Sequence, residues 1–215
     1  MLYIIATPIG NMKDITLRAV DVMEKLDILL CEDSRKTGLL LKNLGIKNKP
    51  KLVSFYDEVE EQKIPQVISF LKEGLEVGLV SDAGTPLLSD PGWLLVRRCQ
   101  KENLEYTALP GASAVINGLV LAGLPMGRFS YLGFLPKKDG ERKKILEKYK
   151  EIDGAKVVYE SPLRVEKLVV EIKAVYGENT EIRVVSEMTK MFEKVSNGVG
   201  GDTRGEAVVV FCERF

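Results

Sequence analysis

The sequence predicts an α/β protein built from two units, and three observations carry that prediction. Short apolar runs alternate with segments of helical periodicity from Leu2 to Leu109. Each run ends abruptly in a loop holding Pro, Gly, Ser or Asp. A break at Gly123-Leu124-Pro125-Met126-Gly127 separates this regular half from one of different character. Five strands separated by helices imply a mainly parallel sheet covered on both faces. We divide the chain into residues 1–111 and 112–215, meeting across a cleft fed by strand-end loops.

Leu2 to Ala6 is the first strand, followed by the turn Thr7-Pro8-Ile9-Gly10-Asn11. Asp14 or Thr16 caps a helix bearing Leu17, Val20, Val22, Met23 and Leu26. Ile28 to Cys31 is the second strand, and the helix entered through Glu32-Asp33-Ser34-Arg35 is stopped by Gly45. Lys51 to Phe55 is a strand, Ile64 to Lys72 a helix closing at Gly74, and Val77 to Val80 the fourth strand. After it comes the most constrained loop of the chain, with Gly84, Pro86, Pro91 and Gly92 in a dozen residues. Asp90 before Pro91 reads as the N-cap of a helix reaching about Glu102. Glu105 to Leu109 is the fifth strand.

Beyond it, Ala112 to Ala122 is a small-residue helix. Strands are expected at Phe129 to Leu132, Lys156 to Tyr159, Glu181 to Ser186 and Ala207 to Cys212, and helices at Glu141 to Lys150 and Arg164 to Val175. Asn197 to Gly205 reads as a Gly-rich hairpin loop.

Composition removes many chemistries. The chain holds no histidine, which excludes His-based triads, His-ligated metals and histidine proton shuttles, and no metal site is expected. Cys31, Cys99 and Cys212 are widely spaced in apolar surroundings, as reduced core thiols are. Thirty-one basic residues balance thirty-one acidic ones, so any contact with a polyanion must come from a local patch. No apolar run is long enough to cross a bilayer, and Met1 leads straight into a strand, so a cytoplasmic protein with no membrane partner is expected.

The loops Thr7 to Asn11, Ser81 to Gly92 and Leu109 to Ala114 all follow strands of the first half, where open α/β sheets bind ligands. None has the Walker or dinucleotide-fingerprint spacing, so they suit a neutral or zwitterionic ligand held by backbone groups.

Eight ordered motifs then carry a resemblance: Ala-Thr-Pro-Ile-Gly-Asn-Met at 6–12, Glu-Asp-Ser-Arg at 32–35, Ser-Asp-Ala-Gly-Thr-Pro at 81–86 with Ser-Asp-Pro-Gly at 89–92, Leu-Pro-Gly-Ala-Ser-Ala at 109–114, Gly-Phe-Leu-Pro at 133–136, Tyr-Glu-Ser-Pro at 159–162, Glu-Met-Thr-Lys at 187–190 and Arg-Gly-Glu at 204–206. Nearly end to end, the chain resembles the ribosomal RNA small subunit methyltransferase I family of the tetrapyrrole methylase superfamily. The resemblance implies S-adenosyl-L-methionine as methyl donor and 2′-O-methylation of a cytidine in small-subunit ribosomal RNA, free or within the assembled subunit. It further implies a parallel N-terminal sheet, a mixed C-terminal sheet, the cofactor between them, and a homodimer. Implied cofactor contacts are Pro8, Gly84, Thr85, Leu88, Ser113, Ala114, Tyr159 and Ser161. Family members usually continue past Arg-Gly-Glu into a small helical region, whereas this chain stops at Phe215.

For the acceptor hydroxyl, Glu32, Asp33, Glu160, Glu187 and Lys190 are motif residues able to take or relay a proton, and Arg35 can hold a phosphate or orient a carboxylate. Asp33, Arg35 and Lys190 are the catalytic candidates, against the plainer reading in which Glu32, Asp33 and Arg35 cap a helix and pair with one another. Lys137, Lys138, Arg142, Lys143 and Lys144 form the best patch for RNA phosphates, with a solvated helix face as the alternative. Phe134, Tyr131 and Tyr159 can stack a base or serve as core. Two rival functions are a tetrapyrrole C-methyltransferase and a non-catalytic ribosome-binding factor that retains the cofactor fold.

Overall fold

The computed structural model describes residues 1–198 and 205–213, so most of the Gly-rich loop expected over Asn197 to Gly205 lies outside the described residues. The chain divides into two compact units, Met1–Ser113 and Ala114–Phe215.

The first unit contains β1 (Leu2–Ile5), α1 (Leu17–Met23), β2 (Ile28–Cys31), α2 (Ser34–Asn43), β3 (Lys51–Ser54), α3 (Asp57–Lys72), β4 (Val77–Leu79), α4 (Trp93–Lys101) and β5 (Tyr106–Leu109). Its sheet is wholly parallel, in the order β3-β2-β4-β1-β5. One face packs Leu2, Leu30, Phe55, Val77 and Leu79 against Ile64, Val67 and Ile68 of α3 and Leu95 and Cys99 of α4. The other packs Ile5, Leu29 and Cys31 against Ala19 and Met23 of α1 and Leu41 of α2. This two-sided burial is what makes the strands continuous apolar runs. Because β1 lies between β4 and β5, the loops leaving these three strands are neighbours.

Two helices begin elsewhere than the sequence suggests. Helix α3 starts at Asp57, well before Ile64, and carries Pro65 in its interior. Asp57, Glu58 and Glu60 in its first turn suit the positive end of the helix dipole, and Ile64, Val67, Ile68 and Leu71 anchor it on both sides of the proline. Helix α4 starts at Trp93 with Gly92 as N-cap, and no side chain of its own caps it, so Asp90 and Pro91 do not play the cap and first-turn roles expected of them. The cap comes from α3. Glu60, 3% exposed, accepts from Gly92 N (3.0 Å) and Leu95 N (3.4 Å).

The second unit opens with α5 (Ala114–Ala122), followed by β6 (Phe129–Phe134), α6 (Asp139–Lys150), β7 (Ala155–Glu160), α7 (Val165–Tyr176), β8 (Glu181–Ser186), β9 (Lys194–Ser196) and β10 (Ala207–Cys212). Strand β9, absent from the sequence reading, is too short and too exposed to give an apolar run. The sheet is mixed, in the order β6-β7-β10-β8-β9. Among the described residues of this unit only β6 and β7 pair parallel. Helices α6 and α7 cover one face through Leu146, Leu168 and Ile172, which pack against Val158, Val184 and Val209. Helix α5 contacts β10 and β8, with Gly118 so close to Val208 that an added Cβ would lie 2.6 Å from Cγ1.

Replacing Glu60 with alanine strands two amide groups at the buried start of α4. Urea unfolding should show a loss of about 2–3 kcal/mol, with Glu60→Gln losing less because an amide oxygen can still accept.

Candidate active site

In the first unit the three strand-end loops are bonded to one another. Thr7 and Gly84 exchange both backbone hydrogen bonds, Thr7 N to Gly84 O at 2.9 Å and Gly84 N to Thr7 O at 3.0 Å. Thr85 Oγ1 donates to Ala112 O at 2.9 Å, joining the β4 loop to the β5 loop. Gly84 sits at φ +84°, and a Cβ there would come within 3.3 Å of Ile9 Cγ2 and 3.8 Å of Ala112 O, so any side chain would be both strained and crowded. Leu87 (φ +74°) and Ser89 (φ +69°) are held in the same left-handed region without being glycine. Such strain persists only where surrounding structure enforces it, and it concentrates at ligand-binding loops. Beside these loops a cavity of about 200 Å³ is lined by Thr7, Pro8, Met12, Lys36, Leu39 and Asp82, among others.

Around the carboxyl ends of β2 and β4 lies a cluster of carboxylates, and it explains Asp33 and Arg35. Asp33 caps α2, accepting from Arg35 N (2.9 Å), while its two oxygens also receive Arg35 Nε (3.1 Å) and Nη2 (2.8 Å). These bonds from Arg35 hold the Asp33 carboxyl well below the usual carboxylate range. Both Asp33 oxygens are thus engaged in orienting Arg35. The plainer alternative, capping and mutual pairing, describes this pair. A reciprocal clasp then joins the two loops. Asp82 N donates to Glu32 Oε1 (3.0 Å), and Asp33 N donates to Asp82 Oδ1 (3.3 Å). Lys36, which the sequence reading missed, donates to Asp82 Oδ2 at 2.5 Å, and this bond raises its pKa.

Glu32 and Asp90 are pushed the other way. Burial raises both, Asp90 to about 6, helped by the negative charges of Glu32, Asp57 and Asp82 and opposed by a hydrogen bond with Ser81. A carboxylate with a proton affinity near neutral pH, as Asp90 has, is suited to exchange protons.

In the second unit, register brings four motifs to one end of the sheet. Phe134 lies opposite Tyr159, and Ala207 lies opposite both Glu160 and Ser186. Gly-Phe-Leu-Pro, Tyr-Glu-Ser-Pro, the chain before β10 and Glu-Met-Thr-Lys therefore emerge side by side. Glu187 (φ +52°) and Thr189 (φ +63°) are again left-handed non-glycines. Lys190 Nζ donates to Glu187 Oε1 at 2.9 Å, and a Cβ on Gly205 would stand 3.0 Å from that same oxygen. Glu160, by contrast, is fully buried: Oε1 accepts from Ser161 N (2.7 Å) and Arg164 Nε (2.7 Å), while Oε2 has no hydrogen-bond partner among the described residues. Ser161 has both backbone groups engaged, since its carbonyl accepts from Arg164 N at 3.0 Å. Tyr159 is half-buried, as are Ser113 and Ala114 at the start of α5, whereas Leu88 is exposed.

The basic patch survives in part. Lys137, Lys138, Lys143 and Lys144 are exposed on or beside α6. Arg142 is not available to a phosphate: it is 1% exposed, with its guanidinium bonded to both oxygens of Glu171, to Asp139 Oδ1 (3.0 Å) and to Pro136 O (3.4 Å). Its place in the patch is corrected, because helical spacing alone could not show that its side chain turns inward. Among the described residues there is no metal-binding group of His, Cys, Asp or Glu, and no helix is long and apolar enough to cross a membrane. The three cysteines are buried and unbridged.

Asp90 has an ordinary pKa of 3.8 and a folded value of about 6, so its contribution to stability is fully present below about pH 4 and is lost as pH rises through 6. Asp90→Asn should therefore exceed the wild type in stability above pH 6, by about 1–2 kcal/mol after allowance for solvent screening, and match it below pH 4. Urea titrations across that range check this.

The profile of the family Tetrapyrrole (Corrin/Porphyrin) Methylases matches residues 1–202. A protein of Haemophilus influenzae called "Ribosomal RNA small subunit methyltransferase I" is 43% identical over 91% of this chain and 69% of its own length. Proteins of the same name are 41% identical in Escherichia coli O157:H7, over 94% of this chain and 70% of theirs, and 39% identical in a Hydrogenobaculum species, over 92% and 84%. A crystal structure of uroporphyrin-III-C-methyltransferase from Thermus thermophilus shares the fold, with TM-score 0.66 and 18% identity over 98% of this chain and 93% of that one. With a family profile covering nearly the whole chain and close relatives of one name, the protein belongs to the tetrapyrrole methylases, in the ribosomal RNA small subunit methyltransferase I family.

Proposed function

We propose that the protein transfers a methyl group from S-adenosyl-L-methionine to the 2′-hydroxyl of a cytidine in small-subunit ribosomal RNA. The observation that carries this reading is identity of about 40% to proteins of that name over more than nine-tenths of the chain. The first-unit loops suit the donor: they offer backbone groups, a glycine whose Cβ would crowd Ile9, and no cationic cradle. When bound, the donor supplies an electrophilic methyl group on a sulfonium. Pro8, Gly84, Thr85, Leu88, Ser113, Ala114, Tyr159 and Ser161 are the residues that would hold it.

The chain's own work is then alignment and proton handling. In-line displacement gains much of its rate from positioning, and the bonded loops provide a rigid frame for it. Arg35, oriented by Asp33, and Lys190, oriented by Glu187, meet the anionic groups of the substrate. Lys143 and Lys144 draw in RNA phosphates. The family resemblance supports a homodimer, to which the exposed Ile116 and Val120 of α5 offer apolar surface, and a cytoplasmic location suits a ribosomal substrate.

Labelled S-adenosyl-L-methionine incubated with small subunits or naked ribosomal RNA tests the reading; label should enter the RNA, and its absence from both would overturn the proposal. By calorimetry, Thr85→Arg should abolish donor binding, whereas Thr85→Ser, which keeps the bond to Ala112, should retain it. Reversing Lys143 and Lys144 to glutamate should weaken RNA binding and flatten its salt dependence, by a slope of about two if each lysine meets one phosphate.

A further inference from the structure

The outer edge strand of the second sheet carries a β-bulge. β6 is an edge strand, and its register with β7 shifts between Tyr131, opposite Val157, and Gly133, opposite Val158. Leu132 is thus an additional residue, and Gly133 takes φ +63°. Side chains alternate along a strand, so residues three apart ordinarily face opposite sides. The bulge cancels that alternation and puts Tyr131 and Phe134 on one face, together with Tyr159 of β7.

Three rings meet there as a result. Tyr131 and Tyr159 stand edge to face with centroids 5.2 Å apart, and Phe134 lies 5.4 Å from Tyr159. Val208, opposite Tyr159 on β10, is covered by α5 through Gly118, so the rings occupy the part of that face beside the helix. Phe134 nevertheless remains 44% exposed. The extra residue lets Leu132 and Leu135 both reach the core beneath α6 and α7, and it leaves the Phe134 ring on the opposite, more open face. Bulges of this kind re-aim side chains at sites of function.

What the exposed ring faces is constrained by its neighbours along the chain. Lys137 and Lys138 follow within four residues and are exposed. An aromatic platform with cations beside it is the arrangement that binds unpaired nucleotides, the ring taking a base and the lysines the phosphates. A duplex, whose bases are already stacked, offers no such face. Resting on the RNA methyltransferase reading above, we infer that Phe134, backed by Tyr131 and Tyr159, is a stacking platform for an unpaired base of the RNA substrate.

Fluorescence anisotropy with a labelled short oligouridine and an RNA duplex of equal length tests this. Phe134→Ala should weaken single-strand binding about tenfold, Phe134→Leu should fall with it, and Phe134→Tyr should stay within about twofold of wild type. Duplex affinity, the urea midpoint and donor affinity should be unchanged in all three. Wild-type single-strand affinity in Phe134→Leu, or equal losses for single strand and duplex, would overturn the platform. Methyl transfer to small-subunit RNA, measured in parallel, separates the two proposals: transfer with an indifferent Phe134 leaves the function and removes the platform, and the reverse result does the opposite.

Discussion

The mutual pairing of Thr7 and Gly84 is the constraint on which the first unit's site depends. Two backbone hydrogen bonds tie the loop after β1 to the loop after β4, and they form only because Gly84 takes a positive φ with no Cβ to meet Ile9. Thr85, next along the chain, is thereby positioned to bond Ala112 and bring in the third loop. The left-handed Leu87 and Ser89 follow in the same loop, where few residues would settle without such anchoring. A frame of this kind presents backbone groups at fixed positions, which is what recognition of a ligand with few charges needs.

Charge is handled in two ways in the molecule. Some buried charges are matched within the fold: Glu60 receives two amides at the start of α4, and Arg142 is locked between Glu171 and Asp139. Around the carboxyl ends of β2 and β4, acids instead crowd one another. Glu32, Asp82 and Asp90 interact with one another, Lys36 pairs with Asp82, and burial raises Glu32 and Asp90. Burial, with like charges adding to it, is a poor way to stabilise a loop and a good way to raise a carboxyl's proton affinity, to about 6 for Asp90. The second unit shows a backbone version of the same contrast, with a regular buried β10 at its centre and a bulged, aromatic β6 at its edge.

Most of the elements were legible in the sequence because their determinants are local. The strands of the parallel sheet are apolar runs that end in turn residues, and Gly45 and Gly74 mark helix ends by composition alone. Failures arose where a distant residue did the work. Asp90 and Pro91 have the chemistry of a helix start, yet Glu60 caps α4 from another helix, and that start moves to Gly92. Pro65 suggests a boundary, but an apolar stripe on either side holds α3 together through it.

The site divides along the same line. The sequence by itself determined the fold class, the absence of histidine chemistry and the motifs that mark the family, since these lie in residue type and order. It could not assign partners. That Asp33 is occupied by Arg35, that Lys36 belongs with Asp82, and that Arg142 turns inward all depend on groups brought near by folding. Strand register is the clearest case: a single extra residue in β6 decides which face Phe134 takes, and nothing in the local pattern records it. Side-chain identity is written in one dimension, whereas proton affinity, exposure and facing are set by neighbours in three, so those were left to the tertiary structure to decide.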